Sequence, residues 1–337
     1  MEKSANSQVV TPPKLIPSFV AGFNAVANHV YLIIFPMLLD LLFWFGPLVR
    51  VKELVQPIFE RSLQEMANVY PPETLDLLQT SKEAILQFFN QLNLLFAFRS
   101  YPVGIPSLMV GIAPLNNPLG NLVVMEITDF PTALLLLLVC LVLGVICGGL
   151  FFGFIARITA TKNGRLGFSE ILSQMKHVLI YFILVLFMAI GILLPSLCLI
   201  SSITIFLPSL GSIPYFVLGV ILVWILLPFA FSVHGIFAGH LTPINSISTS
   251  FRLVRKYLPG TGMFLLVAIL LSQGLDMLWS TPATNNWLTI VGIVGHAFIS
   301  SGILAASFIY YSKGMEFMRE MMRREAAKKD LPQATLN

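Results

Sequence analysis

Charged residues are scarce in this sequence, and they are almost absent from its long apolar runs. Lys, Arg, Asp and Glu make up 11% of the 337 residues and hydrophobic residues make up 56%, against about 25% and about 45–50% in soluble domains. Of the 20 basic and 16 acidic residues, only Asp40 and Asp276 lie inside a long apolar run, and no charge falls between Lys176 and Arg252. This distribution excludes a water-soluble core and is typical of a polytopic membrane protein.

The sequence also lacks the motifs that support catalysis or metal binding. It has no Gly-x-Ser-x-Gly turn, no phosphate-binding glycine loop, no His-Glu-x-x-His and no Cys-x-x-Cys. Cys140, Cys147 and Cys198 have no paired spacing that would indicate a disulfide framework or a metal site. We therefore predict no enzymatic activity, no cofactor and no metal.

Six apolar runs are long enough to cross a hydrocarbon layer, which takes about 20 residues per helix. We exclude a seventh, uncharged stretch, Ser100–Met125, because its prolines would each remove a backbone donor, and we expect it to be interfacial or re-entrant. The predicted fold is all-α, with six transmembrane helices paired as three hairpins and an amphipathic helical extracytoplasmic insertion. The predicted spans are roughly Phe19–Gly46, Pro131–Ala156, Val178–Leu199, Ile213–Gly239, Gly262–Trp279 and Trp287–Tyr311.

The basic residues predict which ends of the spans face the cytoplasm. With both termini cytoplasmic, 15 of the 20 basic residues fall on the cytoplasmic side, whereas segment 50–129 on the opposite side has five basic and eight acidic residues. This topology describes a multi-pass protein of the cell membrane. Its segments are a cytoplasmic N-terminus with the first span at 1–49, the extracytoplasmic insertion at 50–129, a five-span membrane bundle at 130–312 and a basic cytoplasmic tail at 313–337.

The same arrangement indicates the partners. Anionic lipid headgroups should meet the cytoplasmic basic segments, and a protein partner would bind at residues 50–129. Nucleic acid is not expected, because the net charge of +4 reflects juxtamembrane residues. Within the insertion, the apolar periodicity predicts two amphipathic helices, Arg50–Tyr70 and Pro72–Phe98.

Two further patterns predict how the helices pack. Each hairpin begins with a short amphipathic segment that we expect to lie in the headgroup plane: Gly22–Val30, Ile171–Val178 and Ser250–Tyr257. Small residues four apart indicate close approach of helix backbones. These pairs are Gly144 with Gly148, Gly149 with Gly153, Gly235 with Gly239, and Gly302 with Ala306.

Asp40 and Asp276 are the candidate ligand-binding residues, because a carboxylate inside a membrane costs about 2.5–3.5 kcal/mol on insertion scales. They occupy matching positions, since each follows a leucine and precedes a tryptophan, Trp44 or Trp279, and then a proline. One interpretation is that the pair faces a central cavity and binds a substrate, an ion or a proton. The other is that both carboxylates lie near the outer interface, hydrated or bonded to helix ends, with Trp44 and Trp279 as interfacial anchors.

No Lys or Arg lies inside a predicted span to neutralise these aspartates, so we expect a counter-charge from Arg50 or Arg99, or from a ligand. His296 lies in the last span, where we expect a hydrogen bond to a neighbouring helix; a ligand or proton-relay role is the alternative. His234 and His240 are six residues apart and therefore on different faces of one helix, unlike the four-residue spacing that aims two imidazoles at one metal.

After the fourth predicted span the chain reads Ile247-Ser248-Thr249-Ser250-Phe251-Arg252-Leu253-Val254-Arg255. This Ser-aromatic-Arg-Leu elbow, in a six-helix protein with a basic tail, resembles the membrane domain associated with glycerophosphoryl diester phosphodiesterases and related six-helix bacterial integral membrane families of unknown function. The resemblance covers the second half of the chain. It implies a fold type and a membrane location, and it transfers no active-site residue because the soluble phosphodiesterase barrel has no counterpart here.

The predicted function is that of a non-enzymatic integral membrane protein that moves or senses a small or lipid-like molecule. The alternative is a structural or assembly component that binds partner proteins through the outer helices or the cytoplasmic tail. Transport predicts that Asp40 and Asp276 face one cavity. A scaffold predicts a solid bundle with an exposed apolar patch on the outer helices.

Overall fold

The computed structural model describes residues 11–67, 86–159 and 168–329. Within these residues the chain divides into two compact units. Unit 1 consists of the described parts of Met1–His29, Phe152–Leu271 and Ser301–Asn337, and unit 2 of the described parts of Val30–Phe151 and Ser272–Ser300. The predicted segments, with boundaries at residues 50, 130 and 313, were defined by the side of the membrane on which they lie. They are a different division from these two units and stay predictions.

Helices make up most of both units, as the all-α prediction requires. Unit 2 also holds two short two-stranded sheets, described below. In chain order the α-helices are α1 Leu15–Ala27, α2 Ile34–Phe45, α3 Lys52–Ala67, α4 Met109–Ile112, α5 Phe130–Thr159, α6 Phe168–Phe206, α7 Ile213–Leu226, α8 Ser232–Gly239, α9 Pro243–Lys256, α10 Leu258–Trp279 and α11 Thr289–Lys329. Residues 86–91 are also helical.

Five helices in the described part of the chain are long and apolar enough to cross a membrane, or six if the bent pair Leu15–Ala27 and Val30–Phe45 forms one span. Large apolar side chains such as Phe187, Phe216 and Trp224 are exposed along these helices. Such exposure is unfavourable in water and suits a hydrocarbon layer. The helices therefore fit an integral membrane protein, with five or six candidate crossings where the sequence predicted six.

The first predicted span differs most from expectation. It is not one straight helix, because the chain bends by 90° between α1 and the following helical residues. The bend falls at Asn28 and His29. The Asn28 N–H still makes the helical bond to the Asn24 carbonyl, whereas the His29 N–H bonds to the Val26 carbonyl three residues back, which ends the α-helical pattern. With 13 residues, α1 is about 20 Å long and too short to cross by itself.

Two of the three predicted amphipathic entry segments form separate helices. Gly22–Val30 falls largely in α1, and Ser250–Tyr257 falls in α9, whereas Ile171–Val178 continues into the long helix α6. Whether α1 and α9 lie in the headgroup plane stays a prediction.

The predicted insertion is less helical than its periodicity suggests. Strand β1, Leu48–Arg50, pairs in parallel with β4, Val124–Glu126, and the hairpin strands β2, Asn116–Asn117, and β3, Gly120–Asn121, pair antiparallel. Of the helix expected at Arg50–Tyr70, Lys52–Ala67 is present as α3, Arg50 belongs to β1, and residues 68–70 lie outside the described residues. Of the helix expected at Pro72–Phe98, residues 72–85 lie outside the described residues.

The second of those helices ends at residue 91 rather than at Phe98. The cause is Asn93, which is buried and bonds to three backbone groups. Its Oδ1 accepts from the N–H groups of Val49 and Leu95, and its Nδ2 donates to the Pro47 carbonyl. The amide therefore fastens this point of the chain to β1, and a short 3-10 turn follows at Leu94–Phe98.

The stretch Ser100–Met125 contains no spanning helix, as its prolines predict. Its one α-helix is α4, with four residues. Val103 and Met109 are fully buried, and Gly104 packs against α5 at Gly148. A Cβ added at Gly148 would lie 2.5 Å from Gly104 Cα. The predicted close approach at Gly148 is therefore present, but the prediction of a helix as its partner is wrong, because the partner is this irregular segment.

Unit 1 is built around an aromatic core. Its largest members are Phe19, Phe231, Phe264, Tyr310 and Tyr311, with stacked rings at Phe19–Phe264 and Phe264–Tyr310. The close packing of α1 on α11 uses small residues, because a Cβ at Gly22 would overlap the Ala306 backbone. Aromatic and small residues together account for the tight packing of this unit.

We expect Gly148→Ala to lower the free energy of unfolding by about 1–3 kcal/mol, because the added methyl has to displace the backbone of Gly104. Gly191→Ala is the matched control, since nothing lies within 4 Å of its added Cβ. It should be neutral or stabilising by up to about 1 kcal/mol. Thermal unfolding in detergent measures both, and equal melting of the two variants would contradict the packing.

Candidate functional site

Asp40 is fully buried, and its carboxyl group accepts three hydrogen bonds. It lies in α2 and is 0% exposed. Its Oδ1 accepts from Ser107 Oγ at 2.5 Å and from the Met109 N–H at 3.1 Å, and its Oδ2 accepts from the Leu108 N–H at 3.2 Å. Asp40 therefore holds the start of α4 against α2.

Ser107 is fixed on both of its sides. Its hydroxyl donates to Asp40 and accepts from the Val110 N–H at 3.3 Å, which satisfies one of the free donors at the start of a helix. Its carbonyl accepts from the guanidinium of Arg99 at 3.0 Å, and Arg99 also lies over the ring of Tyr101. Arg99 therefore supports the segment that binds Asp40 by donating to the Ser107 carbonyl and not to Asp40 itself.

Asp276 forms a pair with His296. The two side chains come from the facing helices α10 and α11, and His296 Nδ1 lies 2.6 Å from Asp276 Oδ1. His296 is 3% exposed, and the side chain of Asp276 is 27% exposed. The expectation that His296 bonds to a neighbouring helix is confirmed.

Glycines let α10 and α11 approach closely at this level. A Cβ at Gly295 would lie 2.7 Å from the indole ring of Trp279, and one at Gly292 would overlap the Trp279 carbonyl. Trp279 therefore packs on α11 next to His296, with its Nε1 buried and unpaired within the described residues. The close approach brings Asp276 within bonding distance of the imidazole.

His296 also lies near enough to Asp40 for the imidazole to act electrostatically on that carboxylate. We name Asp40, His296 and Asp276 the Asp–His–Asp cluster. The second ring nitrogen, His296 Nε2, is buried and has no hydrogen-bond partner among the described residues. An unpaired buried polar atom costs about 1–3 kcal/mol, so such an atom beside the Asp276 pair calls for an explanation.

Trp44 is fully buried, and both its polar groups are bonded. Its Nε1 donates to the Thr284 carbonyl at 2.7 Å, and its own carbonyl accepts from Asn117 Nδ2 at 3.2 Å. Thr284 Oγ1 in turn donates to Asn116 Oδ1 at 2.5 Å. These bonds tie α2 to the β2–β3 hairpin and to the connection between α10 and α11. The role of Trp44 and Trp279 as interfacial anchors stays a prediction.

The two predicted ligand-binding residues thus lie in one unit, and one of them, Asp276, bonds to His296. The expected arginine counter-charges do not reach them through hydrogen bonds, because Arg50 Nε donates to Glu126 Oε1 at 2.6 Å and Arg99 to Ser107. Sequence reasoning missed His296 as the partner of Asp276. The signal was present, since the two residues are three and seven positions from the ends of consecutive helices and so differ by only about 6 Å in depth.

The other buried histidine lies in unit 1 and has its own partner. His234 Nε2 bonds to Ser307 Oγ at 2.7 Å, and its ring packs on Phe308. His240 instead lies beside Gln174 and Glu170. The two therefore share no ligand position. Among the described residues, no group of three or more His, Cys, Asp or Glu side chains could hold a metal ion.

Comparisons with protein-family models, with curated proteins and with solved structures found no match. The resemblance to phosphodiesterase-associated membrane domains stays a prediction.

We expect Asp40→Asn to destabilise the protein by about 1–3 kcal/mol, because the amide nitrogen cannot accept and leaves a buried donor of the α4 start unpaired. Asp129→Asn is the matched control. Asp129 is exposed and precedes α5, and hydrogen bonds from the side chain and backbone of Thr132 lower the pKa of its carboxyl group. Asn caps a helix start as well as Asp does, so this substitution should cost little stability.

Unfolding in detergent at neutral pH measures both variants. A loss in Asp40→Asn with none in Asp129→Asn supports the Asp40–Ser107 contact as a structural bond. Equal stability of Asp40→Asn and wild type would mean that the carboxylate is not needed to hold α4.

Proposed function

We propose that this chain is a non-enzymatic, multi-pass protein of the cell membrane that moves or senses a small or lipid-like molecule, and that proton binding by the Asp–His–Asp cluster accompanies this activity. The observation that carries the proposal is the buried imidazole of His296, which is bonded to Asp276 at one nitrogen and has an unpaired atom at the other. Ionisable groups between membrane helices commonly mark proton and substrate pathways.

The chemistry of the cluster favours a proton. When Nδ1–H of His296 donates to Asp276, the neutral ring presents a lone pair at Nε2. Adding a proton there creates an imidazolium bonded to the Asp276 carboxylate, and the net charge of the cluster becomes more positive by one. Histidine is the side chain whose charge changes most readily near neutral pH. A solute with an N–H or O–H group satisfies the same nitrogen, so proton and solute compete or exchange at one atom.

Protonation has a structural consequence through Asp40. The carboxylate that holds the start of α4 also feels the charge on His296. A positive imidazole attracts the Asp40 carboxyl group more strongly than a neutral one does. Ser107 and the backbone of α4 hold the same group by hydrogen bonds. The position of the segment around α4 is thus linked to the protonation state of His296, which is the kind of link that movement or sensing of a solute requires.

The proposed topology places both termini in the cytoplasm. It rests on the distribution of basic residues along the chain. Anionic lipids at the cytoplasmic segments and a protein partner at residues 50–129 belong to the same proposal. The exposed side chains of Ile58 on α3 and Phe88 support that partner and also the alternative function, an assembly component of a membrane complex.

Proton movement into vesicles tests the proposal. Purified protein is placed in vesicles that contain a pH-sensitive dye, and a potassium gradient with valinomycin supplies the driving force. Wild type should acidify the lumen faster than protein-free vesicles. His296→Asn should reduce the rate at least tenfold, because the amide can still bond to Asp276 but cannot accept a proton.

Asp276→Asn should reduce the rate similarly, and Asp129→Asn, which lies outside the cluster, should leave it unchanged. Equal rates for wild type and His296→Asn would remove the cluster from the mechanism. Rates no faster than protein-free vesicles for wild type would favour the assembly function.

A further inference from the structure

We propose that the exposed face of α9 binds an anionic phospholipid, and that its buried serines transmit lipid binding to the helix break between α7 and α8. The inference concerns unit 1 alone. It rests on the proposed contact of anionic lipids with the cytoplasmic basic segments, but it uses no residue of the Asp–His–Asp cluster, so its failure would leave the proton proposal untouched.

The exposed face of α9 combines apolar and basic side chains. Ile244, Ser248, Phe251 and Arg255 are spaced four, three and four residues apart and form one stripe along the helix. Ile244 is 72% exposed and Phe251 is 47% exposed. Arg252 is exposed beside the stripe.

The arginines of this face are available for a ligand. No acidic side chain in the described ranges pairs with Arg252 or Arg255, whereas the neighbouring Lys256 lies 3.7 Å from Glu325. The last turn of α9 also has no acidic residue. Positive charge at a helix end that lacks an acidic partner attracts anions.

A phospholipid fits both parts of this surface. Its anionic headgroup would meet Arg252 and Arg255, and its acyl chain would lie along Ile244 and Phe251. Amphipathic helices with this composition bind the boundary between headgroups and acyl chains, and each basic residue near an anionic surface contributes about 1 kcal/mol. A free phosphate would leave the two apolar side chains in water.

The buried face of α9 carries the second half of the proposal. Ser250 Oγ donates to the Pro228 carbonyl at 2.6 Å and accepts from the Phe231 N–H at 3.1 Å. Ser246 Oγ donates to the carbonyl of Ser232. These backbone groups belong to the interruption between α7, which ends at Leu226, and α8, which starts at Ser232.

Backbone groups freed by a broken helix need partners inside a membrane protein. Here the partners are serines of α9, so α9 and the break are joined through hydrogen bonds at both ends of the interruption. A lipid that fixes α9 therefore fixes the geometry of the break between α7 and α8. Broken helices in membrane proteins are the places where segments change their relative angle.

Lipid binding to the purified full-length protein in detergent tests the first half. Phosphatidylglycerol and phosphatidylcholine with the same acyl chains are titrated, and bound lipid is counted by native mass spectrometry. Wild type should bind phosphatidylglycerol in preference. Arg252→Gln with Arg255→Gln should weaken this binding about tenfold or more.

The matched control is Lys52→Gln with Arg61→Gln, which removes the same charge from α3 in unit 2 and should leave the binding unchanged. Equal binding of the two lipids to wild type, or equal losses in the two double variants, would overturn the lipid site. Glycerol phosphate without acyl chains is a further arm of the titration. If it competes as well as the lipid does, the site is a simple anion site and the lipid assignment is wrong.

Hydrogen–deuterium exchange tests the second half. Phosphatidylglycerol should slow amide exchange at residues 227–231 of wild type, because a ligand that fixes α9 makes local opening of the break bonded to it less frequent. Ser250→Ala should bind the lipid normally but lose at least half of this slowing, since the Pro228 carbonyl and the Phe231 N–H are no longer bonded to α9. Ser202→Ala, whose hydroxyl bonds to the Cys198 carbonyl within α6, should keep the full slowing. Full slowing in Ser250→Ala would overturn the link between α9 and the break.

Discussion

The buried carboxylate of Asp40 determines how unit 2 is built. A buried carboxyl group among apolar helices needs hydrogen-bond partners, and the chain supplies them by folding the proline-rich segment back so that Ser107 and the start of α4 bond to Asp40. The same segment leaves room for no side chain at Gly148 on α5. Charge satisfaction and close packing therefore fix one segment from two sides, and Arg99 adds a third contact through the Ser107 carbonyl.

Asp276 solves the same problem in a different way. Its partner is His296 on the next helix, and glycines of α11 make the approach possible by seating Trp279. Asp40 accepts from fixed backbone and hydroxyl donors, whereas Asp276 is paired with a group that can itself gain a proton. The two aspartates stand in matching sequence positions, yet one is bonded to a hydroxyl and backbone N–H groups and the other to an imidazole. This difference in partners is the basis for assigning a proton to the cluster.

The sequence predicted the features that depend on local pattern. Apolar runs predicted the helices α5, α6, α10 and α11, and the prolines excluded a span at Ser100–Met125. Features that depend on contacts between distant residues were not predictable in this way. The bond of Asn93 to β1 and the pairing of β1 with β4 each arise from polar groups that find partners far along the chain. The pairing of Asp276 with His296 was within reach of sequence reasoning through helix depth.

The most direct test of the account is the protonation state of His296 itself. In full-length protein with ¹⁵N-labelled histidine, the His296 signals are identified by their loss in His296→Asn, and the imidazole nitrogens are followed by NMR across pH in lipid. We expect Nδ1 to carry a proton throughout and Nε2 to change from unprotonated to protonated as pH falls, with the change altered in Asp276→Asn and unaltered in Asp129→Asn. An Nε2 that stays in one protonation state wherever the protein is folded would contradict the assignment of a proton to the cluster.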